Sequence, residues 1–120
     1  MTRINVGVDP KELTDRHLMA EHREIKRIPN VIKSGRFSMN NQPSQFTLGT
    51  GHVKFFYDKI LYLKNRYISI HKECIKRGFN VTDFTSAFDD VPVKYMNDYS
   101  PTQRDRDIIL ERIRQRLEGK

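Results

Sequence analysis

Two places in this 120-residue chain bring together groups able to act on a substrate. The first is the N-terminus, Met1-Thr2-Arg3. Thr is small enough for the initiator Met to be removed, which leaves an α-amine on Thr2. Such an amine has a pKa near ~7.7–8.0, far below that of a Lys. At neutral pH part of it is unprotonated and able to form a Schiff base with a carbonyl or a sugar C1′ centre. The same Thr also reads simply as a chain end. The second place is Glu24 among Arg23, Lys26 and Arg27. A carboxylate inside a phosphate-binding Arg cluster can shuttle protons and stabilise a cation. The same residues also read as an i,i+3 ion pair on a solvated helix face.

Other chemistries are absent. There is no P-loop, G-x-G-x-x-G, G-x-S-x-G or H-E-x-x-H pattern. His17 and His22 are five residues apart, on different faces of a helix, so they do not chelate together, and the expectation is no metal and no cofactor. The single Cys74 excludes a disulfide framework and sits in an apolar stripe, which predicts packing rather than nucleophilic chemistry. No apolar run approaches the ~18 residues of a membrane span, and no signal peptide is apparent, which places the expected site of action in the cytoplasm.

Helices must position these groups. Asp9 as N-cap and Pro10 at the first helical position predict a helix from Pro10 to Ile32, with Pro29 kinking or ending it. Leu18, Ile25 and Ile32 would face the core, and Arg16, Arg23 and Arg27 the other side. Val53, Phe56, Ile60, Leu63, Tyr67, Ile70 and Cys74 follow a 3,4 alternation that predicts a long central helix. Thr50 or Gly51 can start it, Gly78 can end it, and Phe55, Tyr62 and Ile75 widen its apolar face. Ser100, Pro101 and Gln103 predict the start of a third helix over Pro101–Leu117, with stripe Ile109, Ile113 and Leu117 and Gly119 as its stop. Arg112 and Arg116 stack one turn apart beside that stripe. Residues 79–99 read as irregular, anchored by Phe84, Phe88, Tyr95 and Tyr99, and no strand pair is evident. The expected class is all-α, one compact domain over residues 1–120.

The net charge is +7. Residues 37–82 carry seven Lys and Arg against two acids, residues 83–100 one against four, and both chain ends are basic. A basic face assembled from several elements points to a polyanion such as nucleic acid.

The stretches MTRIN (1–5) and HLMAEHREIKR (17–27) resemble the phage pyrimidine-dimer DNA glycosylase family, the T4 endonuclease V type. So do GTGHVKFFYDK (49–59), CIKRGFN (74–80) and DYSP (98–101), in family order. The resemblance implies three main helices with the N-terminal segment threaded between them. It implies a bifunctional glycosylase and abasic-site lyase in which the Thr2 amine attacks C1′, an imine to the opened sugar forms, and β-elimination cuts the strand. Glu24 matches the catalytic carboxylate, and Arg3, Arg23 and Arg27 match DNA-binding positions. Arg112 matches an Arg on the last helix; Arg116 stands where the family reference has a Lys. The implied partner is double-stranded DNA containing a lesion or abasic site, bound by a monomer.

The match is uneven. The reference carries a Trp- and Tyr-rich tail, and this chain has no Trp and ends Leu117-Glu118-Gly119-Lys120. The segment Ser34–Gln45 is shorter and less basic, and Arg16 replaces a neutral amide. The default substrate is a cyclobutane pyrimidine dimer. The alternatives are the same chemistry on another damaged or modified base, or a basic nucleic-acid-binding module without catalysis.

Overall fold

The Thr14 hydroxyl accepts the His17 amide at 3.2 Å and starts α1, Asp15–Glu24. Asp9 and Glu12 do form a capping box, but around a single 3-10 turn, Pro10–Glu12. A second break follows at Ile25–Lys26, before α2, Arg27–Ser34. The continuous helix expected over 10–32 is therefore three pieces. Pro29 causes the second break one turn upstream of itself. It has no N–H to give the Ile25 carbonyl, and its ring crowds that oxygen. The Ile28 amide takes that carbonyl at 3.3 Å instead. Leu18, Ile25 and Ile32 are nonetheless all buried.

The computed structural model describes residues 2–118, without the side chain of Glu118, so Met1 and the stop expected at Gly119 lie outside the described residues. The central stripe also spans two helices, α3 (His52–Phe55) and α4 (Ile60–Lys76). The Gln42 side-chain amide ends α3, donating to the carbonyls of Lys54 and Phe55, each at 3.2 Å, and to Asp58 at 2.9 Å. The intervening turn preserves the spacing of the stripe, so Phe56 and Ile60 are both fully buried across it. Gly51 begins α3 at φ +89°, and a Cβ there would meet Pro43 Cγ at 2.8 Å. Gly78, at φ +84°, closes α4 as expected: its amide reaches the Ile75 carbonyl and the Phe79 amide the Cys74 carbonyl, both at 3.0 Å. Ile75 points outward and is 55% exposed, contrary to expectation, because it lies a third of a turn off the stripe.

The last helix, α5, runs Gln103–Glu118. Its cap is Thr102 rather than Ser100. The Thr102 hydroxyl accepts the Asp105 amide at 3.1 Å, and the Asp105 carboxylate accepts the Thr102 amide at 3.0 Å and the Tyr99 hydroxyl. Ile109 is buried and Ile113 half-buried, but Leu117 is 49% exposed because the end of α5 passes over a cleft rather than the core. Residues 79–99 hold two 3-10 turns, Thr85–Phe88 and Val93–Tyr95. Among the described residues there is no strand; the fold is all-α.

The N-terminal segment is threaded between these helices. Ile4, Val6 and Val8 are buried. The Ile4 amide donates to His52 of α3 at 3.0 Å and Asn5 Nδ2 to Glu21 of α1 at 2.8 Å. Arg106 of α5 donates to the Gly7 carbonyl at 3.1 Å and Arg66 of α4 to the Val8 carbonyl at 2.9 Å. Four elements thus hold the five residues 4–8 in place.

Candidate nucleic-acid cleft

Along the threaded segment, Ile4 and Val6 enter the core while Arg3 and Asn5 line a cleft of about 760 Å³. One wall is α1, which contributes Arg16, His17, Glu21, Arg23 and Glu24. The other is the end of α5, with Arg112 and Arg116. Five arginines thus face two carboxylates. Glu21 is already matched by Arg66, so the cleft is strongly cationic around one further acid, Glu24.

Glu24 is shielded, with its side chain 14% exposed, and it contacts the exposed Arg23 guanidinium at 3.7 Å. That distance is an ion pair without a hydrogen bond. The i,i+3 partner Arg27 does not take this place. The break at Ile25–Lys26 starts a new helix at Arg27, which is exposed and not among the residues lining the cleft. Arg3 loses proton affinity through burial and the nearby Arg116 guanidinium, partly offset by Glu24. Three elements therefore meet electrostatically at one point: the N-terminal segment, α1 and α5. Thr2 is half-buried beside Arg3.

Beneath the cleft lies a polar layer that periodicity alone did not single out. Arg66 donates to Glu21 through Nε at 2.5 Å and Nη2 at 2.9 Å. Burial alone lowers the Arg66 pKa, but the Glu21 carboxylate outweighs it and the net shift is upward. The signal was present in the spacing. Glu21 stands three residues after Leu18 and four before Ile25, on the core face. Arg66 stands between Leu63 and Ile70 on the core face of α4. A charge on each of two facing apolar stripes requires a partner.

The histidines divide as expected. His17 lines the cleft, with Nδ1 at 2.7 Å from the Thr14 hydroxyl. His22 is buried on the opposite face, with Nε2 at 3.0 Å from His71 Nδ1 and 3.2 Å from the Tyr67 hydroxyl. Cys74 is fully buried, and burial raises its thiol pKa. Among the described residues no group of three metal-ligating side chains converges, and no helix is long and apolar enough to cross a membrane.

A family model described as pyrimidine dimer DNA glycosylase matches residues 1–86. The match takes in the threaded segment, the α1 wall and the Glu21–Arg66 layer; α5 lies beyond it.

Proposed function

The chain belongs to the pyrimidine dimer DNA glycosylase family, and from that premise we propose that it excises a damaged base and then cuts the strand, using the N-terminal amine of Thr2. The observation that carries this reading is the shielded Glu24 facing Arg3 and Arg116 across the cleft, beside the anchored N-terminal segment.

In this reading the Thr2 nitrogen, freed by removal of Met1, forms a bond to C1′ as the glycosidic bond to the damaged base breaks. The sugar ring then opens: O4′ gains a proton, the nitrogen loses one, and an imine links the chain to C1′. Loss of a C2′ proton drives β-elimination, and the 3′ phosphate leaves with the C3′–O bond electrons. Glu24 stabilises the cationic sugar and imine and carries protons between these atoms. Arg3, Arg23, Arg112 and Arg116 hold phosphates around the reacting sugar, and Arg27 meets the backbone outside the cleft. The enzyme acts on double-stranded DNA as a monomer, and reaching C1′ requires a bent duplex or an extruded nucleotide.

The default lesion is a cyclobutane pyrimidine dimer. The test is strand scission of three duplexes, containing one dimer, one abasic site or no damage. Scission of the first two is expected. Scission of the abasic duplex alone replaces the dimer with another lesion, and binding of all three without scission removes catalysis.

A further inference from the structure

We propose that Asn5 is a specificity residue whose Oδ1 accepts a hydrogen bond from a deoxyribose hydroxyl, next to a phosphate held by Arg112. This inference rests on the lesion-processing reading of the cleft. Asn5 is 3% exposed and lines the cleft, and its Nδ2 donates to Glu21 Oε1 at 2.8 Å. Glu21 is in turn fixed by two hydrogen bonds from Arg66, whose remaining Nη1 donates to the Val8 carbonyl. This chain of contacts settles which way the amide points. A flipped Asn5 would set its oxygen against a carboxylate oxygen, so Oδ1 is held on the other side.

That oxygen is buried and has no hydrogen-bond partner. Arg112 Nε and Nη1, in the same cleft, are also buried without partners. A fixed acceptor and two charged donor groups are together unsatisfied, and a buried polar group is costly until it is paired. The complementary ligand carries a neutral donor close to an anionic oxygen.

A damaged sugar has this chemistry. An intact nucleotide offers no hydroxyl at C1′ or O4′. Once the base is lost, the closed abasic sugar carries a C1′ hydroxyl, and the opened sugar carries a hydroxyl at C4′. Each lies close to a backbone phosphate, whose oxygens suit the unpaired guanidinium N–H groups of Arg112. Asn5 therefore favours the base-free sugar over an undamaged nucleotide, and Arg112 supplies the phosphate contact.

The test uses the full chain and two unreactive duplexes, so that binding is read without chemistry. One carries a tetrahydrofuran abasic analogue, which has no sugar hydroxyl at C1′ and cannot open. The other carries a borohydride-reduced abasic site, which has hydroxyls at C1′ and C4′ and cannot form an imine. The wild-type chain is expected to bind the reduced site about 5-fold more tightly, the value of one net hydrogen bond. Asn5→Ala brings that ratio near one, and Asn5→Ser serves as a second variant that leaves Glu21 its Arg66 partner. Arg112→Ala weakens both complexes equally and keeps the ratio. Equal wild-type binding of the two analogues, or a ratio unchanged in the Asn5 variants, overturns the proposal. If both analogues bind equally but more tightly than undamaged duplex, only the Asn5 assignment fails. If neither exceeds undamaged duplex, the proposed function fails with it.

Discussion

The Ile4 amide donates to Nε2 of His52 at 3.0 Å, and Nδ1 of the same ring lies 2.9 Å from the Thr47 carbonyl. These partners assign the proton to Nδ1 and hold the ring neutral against Ile4, two residues downstream of Thr2. Burial lowers the His52 pKa, which agrees with that state. His52 therefore ties the N-terminal segment to α3 only while it is uncharged.

Acid should loosen the fold through this ring and through His22. Burial, then His71 and Lys26, lower the His22 pKa from 6.5 to about 4, against a smaller opposing effect of Asp83. Below 6.5 the unfolded chain binds protons that the folded chain refuses, so stability falls as pH drops toward about 4. For His22, which is 3% exposed, the loss is on the order of 3 kcal/mol. Thermal unfolding from pH 8 to pH 4 should give a melting temperature that declines over this window, with a flatter decline in His22→Phe. A pH-independent melting temperature would contradict the neutral assignment of both rings.

The Glu21–Arg66 pair should be indispensable to folding because neither charge can reach solvent. Removing one member, as in Arg66→Met, leaves an uncompensated buried charge and should cost about 3–5 kcal/mol. Adding Glu21→Leu to that variant should recover part of the loss. Urea unfolding checks both, and a double variant less stable than Arg66→Met would contradict the account.

Glu24→Gln should separate binding from chemistry. The amide keeps the shape beside Arg23 but cannot take up a proton. Affinity for an abasic duplex should change little, while the cutting rate falls by about 10²–10⁴. Single-turnover scission measures this, and unchanged cutting removes Glu24 from its role.

The arginines should divide by position. Arg23→Ala and Arg116→Ala each take one guanidinium from the cleft and should lower the salt slope of binding by about one. Arg27→Ala, outside the cleft lining, should weaken damaged and undamaged duplexes alike. Titrations at several salt concentrations distinguish them. A larger loss of lesion preference in Arg27→Ala than in Arg23→Ala would reverse the assignment.

Much of the scaffold was readable because its core faces repeat regularly. Leu18, Ile25, Ile60, Leu63 and Ile70 are buried where spacing put them. Helix continuity was less readable. Apolar spacing does not register a break that preserves phase, so the interruptions at Ile25–Lys26 and before Ile60 went unseen. Thr102 is hard to read as a cap because Ser100-Pro101 offers a commoner pattern, and the deciding partner, Asp105, is a shorter acid than a capping box usually has. The site was half legible. Glu24, Arg3, Arg23, Arg112 and Arg116 do converge on one cleft, whereas Arg27 departs with the helix break. Glu21 and Arg66 are marked by their places on apolar stripes, but that the two stripes face each other, and that Asn5 joins them, is a matter of long-range pairing that spacing does not register.

The amine of Thr2 should become covalently joined to the sugar. Borohydride reduces an imine to a stable amine, so the Met-processed chain should be trapped on an abasic duplex, with the crosslink mapped by mass spectrometry to Thr2. Blocking the N-terminal amine should abolish trapping while leaving binding intact. No trapped complex, or a crosslink carried by a Lys instead of Thr2, would contradict the account.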